Sequence, residues 1–317
     1  MNLGNPDHPV GGLAVPLPPG VELRPLARDD FEVALELARE LYRLPLTDPA
    51  PFRAAYDAMV NSPDAAPFLA LVDGEAAGMA LFWFRRRLGH GRFQGWLSDL
   101  YVRPAHGRRG IGTALVRACI AEWRLRQGDS IMLEVAKDNE VARSLYASLG
   151  FTEAGLHLQL RPISVRGVMA GPGVEVRPMV ADDFEPVTRL LGELGVPVPA
   201  EERMPVMRRI FADHLRDPAN RSRVAARDGE VVGVCTLVLR RPFFMPHPQA
   251  WIPELVVADR ARGSRIGSVL LDSALSAAAA EGAYACVLES GPRRAAAHAL
   301  YAAAGFADVG VFHVLAG

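Results

Sequence analysis

The feature that most constrains this chain is that it repeats itself. VELRPLARDDFE, opening at Val21, returns as VEVRPMVADDFE, opening at Val174. Beyond these openings the register settles to a fixed separation of 155 residues. It pairs Gly78 with Gly233, Leu100 with Leu255, Gly112 with Gly267, Tyr146 with Tyr301, Gly150 with Gly305 and Phe151 with Phe306. The period is too long for a solenoid, whose units are single supersecondary elements. It is the period of a duplicated domain, and 317 residues suit two domains of ordinary size. The expected division is a flexible leader over 1–20, an N-terminal domain over 21–163, a linker over 164–173 and a C-terminal domain over 174–317. The Pro- and Gly-punctuated stretch RPISVRGVMAGPG, from Arg161 to Gly173, carries the linker.

Bulk properties narrow the function classes. Half of the residues are hydrophobic, 22% are charged and the formal net charge is -1. That balance gives no bulk attraction to nucleic acid or to an anionic membrane. Basic residues cluster only locally, at Arg85, Arg86 and Arg87 and around Arg108; the plain reading of the first cluster is a solvated strand end. Cys119, Cys235 and Cys286 stand far apart without a CxxC pair, which argues against a metal cage or disulfide framework and for a reducing cytoplasm. Cys119 and Cys286 lie in apolar segments and read as core. The opening residues lack the cationic and apolar regions of a signal peptide, and no apolar run approaches the roughly 18 residues of a membrane span.

Both halves share one pattern of elements. An opening strand precedes an amphipathic helix with cap candidates Asp29 and Asp30 and apolar Leu35, Leu37, Leu41 and Leu44. A hairpin follows, FLALVDGEAAGMALFWF, turning at Asp73-Gly74. Next come the strand WLSDLYV, a Gly-rich loop, a helix from about Gly110 to Arg126 and the buried strand SIMLEVA. A helix from about Glu140 to Leu149, terminated by Gly150, and a strand over Leu156 to Leu160 close the unit. This order predicts an α/β fold with helices on both faces of a sheet.

The segment DLYVRPAHGRRGIGTALVRACIAEW joins a strand to a helix through Gly107, Gly110 and Gly112. Main-chain N–H groups converging at such a helix start suit phosphate oxygens, with Arg108 and Arg109 adding charge. The glycine spacing is the reverse of the dinucleotide fingerprint GxGxxG, and no GK followed by Ser or Thr exists for a P-loop. The segment resembles instead the (Q/R)-x-x-G-x-(G/A) motif of the GNAT superfamily of N-acetyltransferases, with Gly107 in place of Q/R. Further on, LEVAKDNEVARSLYASLGF resembles the second signature of that family through Asn139, Ala142, Leu145, Tyr146, Gly150 and Phe151. The other half repeats both. ELVVADRARGSRIGSVLL has Arg262 at the Q/R position, Arg265 for the middle glycine and Gly267. LESGPRRAAAHALYAAAGF matches through Arg294, Ala297, His298 and Tyr301.

The resemblance covers nearly all of the chain outside leader and linker. It implies two GNAT-type domains, each a mixed, mostly antiparallel twisted sheet with helices on both faces, using acetyl-CoA as co-substrate and no metal. It implies that Leu100, Tyr101 and Val102 run beside the pantetheine arm. The pyrophosphate would lie on Gly107, Arg108, Arg109, Gly110, Ile111, Gly112 and Thr113, and Asn139 would help hold the coenzyme. The second-half equivalents are Leu255, Val256, Val257, Arg262, Gly263, Ser264, Arg265, Ile266, Gly267, Ser268 and Arg294. Tyr146 and Tyr301 are the implied general acids. A non-glycine residue at Arg265 is strained if the loop there needs a positive φ, by about 1 kcal/mol.

Chemistry also asks for a base. An alkylammonium of pKa near 10.4 is neutral in only about one molecule in 2,500 at pH 7, a cost of about 4.6 kcal/mol. Glu134, twelve residues before Tyr146, matches a spacing found in ribosomal-protein alanine acetyltransferases; Asp99 ends the strand entering the loop. Glu289 and Glu254 are their counterparts. The acceptor expected is a primary amine: a small amine, a peptide amine or, from the likeness of LSDLYVRP to diamine acetyltransferases, a polyamine. The competing reading makes one half, more readily the second, a non-catalytic acyl-CoA-binding or structural module.

Overall fold

The computed structural model describes residues 15–43, 49–196 and 200–316; most of the expected leader and Leu44 lie outside them. The first half runs β1 (Val21–Pro25), α1 (Phe31–Tyr42), α2 (Ala50–Val60), β2 (Phe68–Val72), β3 (Glu75–Arg86), β4 (Phe93–Val102), α3 (Ile111–Leu125), β5 (Ser130–Val135), α4 (Glu140–Ser148) and β6 (Thr152–Leu160). The second half runs β7 (Val174–Pro178), α5 (Phe184–Glu193), α6 (Met204–Arg216), β8 (Arg223–Arg227), β9 (Glu230–Cys235), β10 (Val238–Arg240), β11 (Gln249–Trp251) and β12 (Leu255–Val257). It ends with α7 (Ile266–Ala280), β13 (Ala285–Ser290), α8 (Ala295–Ala303) and β14 (Ala307–Ala316). The chain is α/β, with two domains of mixed, mostly antiparallel strands flanked by helices, as the repeat predicts.

Local chemistry explains much of the recurrence. In each opening the arginine grips the second aspartate: Arg24 Nη2 donates to Asp30 Oδ1 at 2.7 Å, and Arg177 Nη2 to Asp183 Oδ1 at 2.8 Å. The same aspartates accept from the main-chain N–H of Ala27 and Val180, so they fix the turn into the helix rather than capping the helix itself. Gly78 is needed for close approach, because a Cβ there would stand 2.4 Å from the carbonyl oxygen of Tyr101 on β4. The second helix of each half, α2 and α6, is absent from the pattern reading. Its apolar faces are nonetheless legible afterwards: Phe52, Tyr56 and Met59 recur at helical spacing and are buried.

The sheets do not divide where the repeat divides. One sheet has the order β1-β2-β3-β4-β5-β14-β6-β13-β11-β10 and the other β12-β9-β8-β7. The last strand of each half therefore completes the sheet of the other. β14 pairs antiparallel with β5 from Val311↔Val135 to Ala316↔Ser130, while β6 pairs antiparallel with β13 from Cys286↔Leu160 to Ser290↔Leu156. The cores follow the strands. Leu158 and Leu160 of β6 pack in the second core, and Val311 of β14 packs in the first. Loops are exchanged too. Leu88, from the β3–β4 connection, packs in the second core; Phe243 and Phe244, from the β10–β11 connection, pack among α1 and α2.

Cutting the chain at the linker leaves β5 paired only with β4 and β13 only with β11, each with its other edge bare, and exposed strand edges pair with whatever matches them. Residues 15–173 produced alone are expected to run as a dimer or larger species in size-exclusion chromatography with light scattering. A folded monomer would contradict the exchange as a structural requirement.

Candidate active site

β4 and β5 run parallel and paired only from Gln94↔Ser130 to Leu97↔Leu133, then separate. The same parting follows Trp251↔Val287 in the second half. Beyond the last pair, the main-chain groups of Leu100 to Val102 and of Leu255 have no partner on that edge among the described residues and can pair with an extended amide-bearing arm, while the Val257 carbonyl accepts from Arg262 Nε at 3.3 Å. Along β4 the register slips between the pairs Leu81↔Asp99 and Phe82↔Leu97, leaving Ser98 as an extra residue. Without this bulge Asp99 would share the face of Leu97, which packs on α3; with it, Asp99 turns to the opposite face beside Leu81.

The glycine loops lead into α3 and α7 with two left-handed residues each. In the first loop these are Arg108 (φ 58) and Gly110 (φ 81); in the second, Gly263 (φ 77) and Arg265 (φ 63). The strain expected at Arg265 is real, but the first loop carries the same burden at Arg108. The two loops use one glycine and one arginine each, in opposite order. Among the described residues, no main-chain or side-chain acceptor takes the N–H groups of Arg108, Arg109 and Gly110, or of Gly263, Ser264 and Arg265. With the first N–H groups of each helix, which have no intrahelical partner, they form two open cradles that fit a pyrophosphate.

Tyr146 and Tyr301 occupy equivalent places: both are buried, and their rings stand 5.8 Å from Phe151 and Phe306 at tilts of 59° and 57°. Burial pushes both phenols above the usual tyrosine range, with Cys119, Asp99 and Glu134 acting in the same sense on Tyr146. Asn139 spends its Oδ1 capping α4 through the N–H of Ala142 at 3.1 Å, whereas Arg294 donates to the carbonyl of Leu194 at 3.1 Å.

The four carboxylates separate into two pairs. Asp99 and Glu254 both line a cavity of about 1120 Å³ between the halves. Asp99 is buried and accepts a hydrogen bond from the phenol of Tyr42, whose ring stacks on Phe244 of the second half at 4.5 Å. Burial lifts the Asp99 carboxyl above the usual aspartate range, opposed by the hydroxyls of Ser98 and Tyr42. Glu254 is engaged differently. Arg87 Nε of the first half donates to its Oε1 at 2.8 Å, and Thr236 donates to its Oε2.

Glu134 and Glu289 instead meet where the halves join. Trp96 Nε1 donates to Glu134 Oε2 and Trp251 Nε1 to Glu289 Oε2, each at 2.8 Å. Arg240 lies 3.9 Å and 4.0 Å from the centres of Trp96 and Trp251, and Arg85 lies 4.8 Å and 4.1 Å from the same rings. Arg85, Trp96 and Glu134 are the 155-residue counterparts of Arg240, Trp251 and Glu289, so the cluster pairs like with like. Burial and the neighbouring Glu134 raise the pKa of Glu289. Glu134, Glu289 and His157 hold ligand atoms within 4.8 Å of one another. Two guanidiniums already balance the two carboxylates, however, and a divalent cation would leave buried net positive charge. Among the described residues, the guanidinium–carboxylate pair of this cluster is Arg240 Nη1 with Glu134 Oε1 at 3.9 Å. Arg85 and Arg87 correct the reading of their run as a solvated strand end: Arg85 packs on Trp96 of its own half and Trp251 of the other, and Arg87 reaches Glu254 of the other half, while Arg86 is exposed as expected. Tyr42, Arg240 and the two tryptophans also escaped the sequence reading, although the fixed offset links Arg85 to Arg240 and Trp96 to Trp251.

Comparison with known proteins decides the family. The model of the Acetyltransferase (GNAT) family matches twice, at residues 31–151 and 185–306, more than half of the chain. The chain belongs to the GNAT family. It is an N-acetyltransferase with two GNAT domains in tandem. It is 36% identical over 138 residues to the aminoalkylphosphonate N-acetyltransferase of Salmonella typhimurium, covering 43% of this chain and 86% of that one. It is 38% identical over 66 residues to the [ribosomal protein bS18]-alanine N-acetyltransferase of Escherichia coli K12, covering 21% of this chain and 45% of that protein. Among solved structures, a GCN5-related N-acetyltransferase from Sphaerobacter thermophilus superposes with a TM-score of 0.64 at 19% identity, covering 95% and 97% of the two chains. A tandem GNAT protein from the clavulanic acid biosynthesis pathway gives a TM-score of 0.64 at 18% identity, covering 93% and 98%. These two likenesses show the GNAT fold. No helix among the described residues is long and apolar enough to cross a membrane.

Gly110 holds a φ of 81 at the start of α3, where a β-branched residue is strongly disfavoured. Gly110→Val is expected to weaken acetyl-CoA binding to the first half by tenfold or more, from roughly 1–2 kcal/mol of strain. Calorimetry showing two equal, unchanged sites would contradict the placement of the cradle.

Proposed function

We propose that the first half transfers the acetyl group of acetyl-CoA to a primary amine that enters through the cavity between the halves. In this reading Asp99 is the base and Tyr146 the acid. The observation that carries it is the position of Asp99: a buried carboxylate with no cationic partner among the described residues, aimed by a bulge into the cavity, where β4 and β5 part. A cavity of this size suits a small-molecule amine. The two relatives above have names that specify amine acceptors, an aminoalkylphosphonate and an alanine of a ribosomal protein.

Acetyl-CoA brings an acetyl group activated as a thioester; the rest of the work falls to the chain. The open N–H groups from Arg108 to Thr113 would hold the pyrophosphate, and the free edge at Leu100 to Val102 would pair with the pantetheine arm. Asp99 first attracts the ammonium and then takes its proton, directly or through a water, leaving a neutral nucleophile. As the C–N bond forms and the C–S bond breaks, Tyr146 donates its proton to the departing thiolate and is later reprotonated from solvent. Its raised pKa keeps it protonated, and so a competent donor, at neutral pH. Juxtaposition of amine and thioester supplies the larger share of the acceleration.

For the second half we propose coenzyme binding without a share of amine turnover. Its cradle is open, but the carboxylate equivalent to Asp99 already holds a guanidinium.

Tyr146→Phe is expected to lower turnover by about 10²-fold or more with acetyl-CoA affinity kept, and Tyr301→Phe to leave it nearly unchanged. The reverse pattern in steady-state kinetics would move the chemistry to the second half. Asp99 must be ionised to act, so kcat/KM should fall as pH drops through a midpoint above the ordinary aspartate value of about 3.9. Asp99→Asn should remove that limb and cost about 10²- to 10⁴-fold. An unchanged profile in the variant would discard Asp99 as the base.

A further inference from the structure

The two β-hairpin connections that cross between the halves are equivalent in place but opposite in effect. Arg87, Leu88 and Gly89 in the first correspond, 155 residues on, to Pro242, Phe243 and Phe244 in the second. Leu88 and Phe243 do the same task, each buried in the core of the other half. Their neighbours differ. Arg87 reaches Glu254, donating from Nε to Oε1 at 2.8 Å and from Nη2 to the carbonyl of Pro253 at 3.3 Å. The Glu254 side chain is only 1% exposed, and its other oxygen accepts from Thr236. Pro242 has no donor with which to reach Asp99. What the second connection offers there is Phe244, stacked on the Tyr42 ring whose hydroxyl bonds Asp99.

We infer that the second half holds a latent acceptor site for a cationic amine, kept shut by Arg87 of the first half. This rests on the reading of Asp99 as the residue that receives the ammonium. A carboxylate paired with a guanidinium has its charge offset and so attracts an ammonium less, and both oxygens of Glu254 already accept a hydrogen bond, from Arg87 and from Thr236. A carboxylate bonded to a neutral phenol keeps its full charge for the substrate. The remaining parts of a site are present in the second half: an open cradle at Gly263 to Arg265, parting strands after Trp251, and Tyr301 in the place of Tyr146. The two acceptor carboxylates face one cavity, so removing the guanidinium opens Glu254 to the same pool of amine. Asymmetry between the duplicated sites thus comes from a residue of the other half, and not from the substitutions in the second signature.

The test is a gain of activity. In a Tyr146→Phe background, where first-half turnover is disabled, Arg87→Gln should raise acetylation of a small diamine, with 1,4-diaminobutane as the probe, by at least about tenfold. Adding Tyr301→Phe should abolish the gain, and Arg87→Lys, which keeps the ion pair, should show none. No gain in folded Arg87→Gln protein that still binds two equivalents of acetyl-CoA overturns the inference. A gain that survives Tyr301→Phe overturns it as well. Pro242→Arg in the otherwise native chain supplies a measurement that does not depend on removing a buried charge. It places a guanidinium near Asp99 and should lower kcat/KM of the first site at least about tenfold with acetyl-CoA affinity unchanged; an unchanged kcat/KM also counts against the latch. Failure of the underlying reading looks different: the native chain would then acetylate no amine, or Tyr146→Phe and Asp99→Asn would leave its activity intact.

Discussion

The main-chain hydrogen bonds between β14 and β5 and between β6 and β13 are the interaction on which the rest of the structure depends. Through them each half borrows its last strand from the other, and the side chains on those strands fill the borrowed core. Joined in this way, the halves bring their inner faces together. Trp96 then stands opposite Trp251, Glu134 opposite Glu289, and two arginines can share the space between the aromatic rings. A cavity flanked by both acceptor carboxylates is the geometric consequence. Neither domain alone encloses it.

Duplication would ordinarily yield two equivalent sites, and much here is equivalent. Both cradles have two left-handed residues, one of them arginine, so the cost of about 1 kcal/mol expected only at Arg265 falls on each loop alike. Both tyrosines are buried against the same phenylalanine of the signature. The difference lies in what the opposite half presents to each carboxylate: a phenol to Asp99 and a guanidinium to Glu254. Charge decides more than position here. An ion pair in a buried setting satisfies the carboxylate internally, whereas a single neutral donor leaves it charged and available.

The repeat, the hairpin turn at Asp73-Gly74, the glycine loops and the tyrosine helices were legible because each rests on local chemistry at short range. So were the two domains and their family. The strand exchange was not legible, because alternation along Leu156 to Leu160 reads the same whichever sheet receives it. For the same reason Arg85 and Arg87 looked like part of a solvated strand end: their partners Trp251 and Glu254 lie 166 (251 − 85) and 167 residues away in the chain. Glu134 and Asp99 stood as equals in the sequence. Only the bulge at Ser98 and the meeting of the halves separate a carboxylate that faces the cavity from one held in the junction. The offset of 155 that pairs Arg85 with Arg240 held the clue to that junction.

The most direct measurement is a crystal structure of the protein with coenzyme A bound, judged on difference density in both halves. The account predicts pyrophosphate density against the N–H groups from Arg108 to Thr113, an extended pantetheine along Leu100 to Val102, and a thiol directed between Tyr146 and Asp99. Density for the coenzyme away from the parting of β4 and β5, or a thiol pointing away from the cavity between the halves, would contradict it.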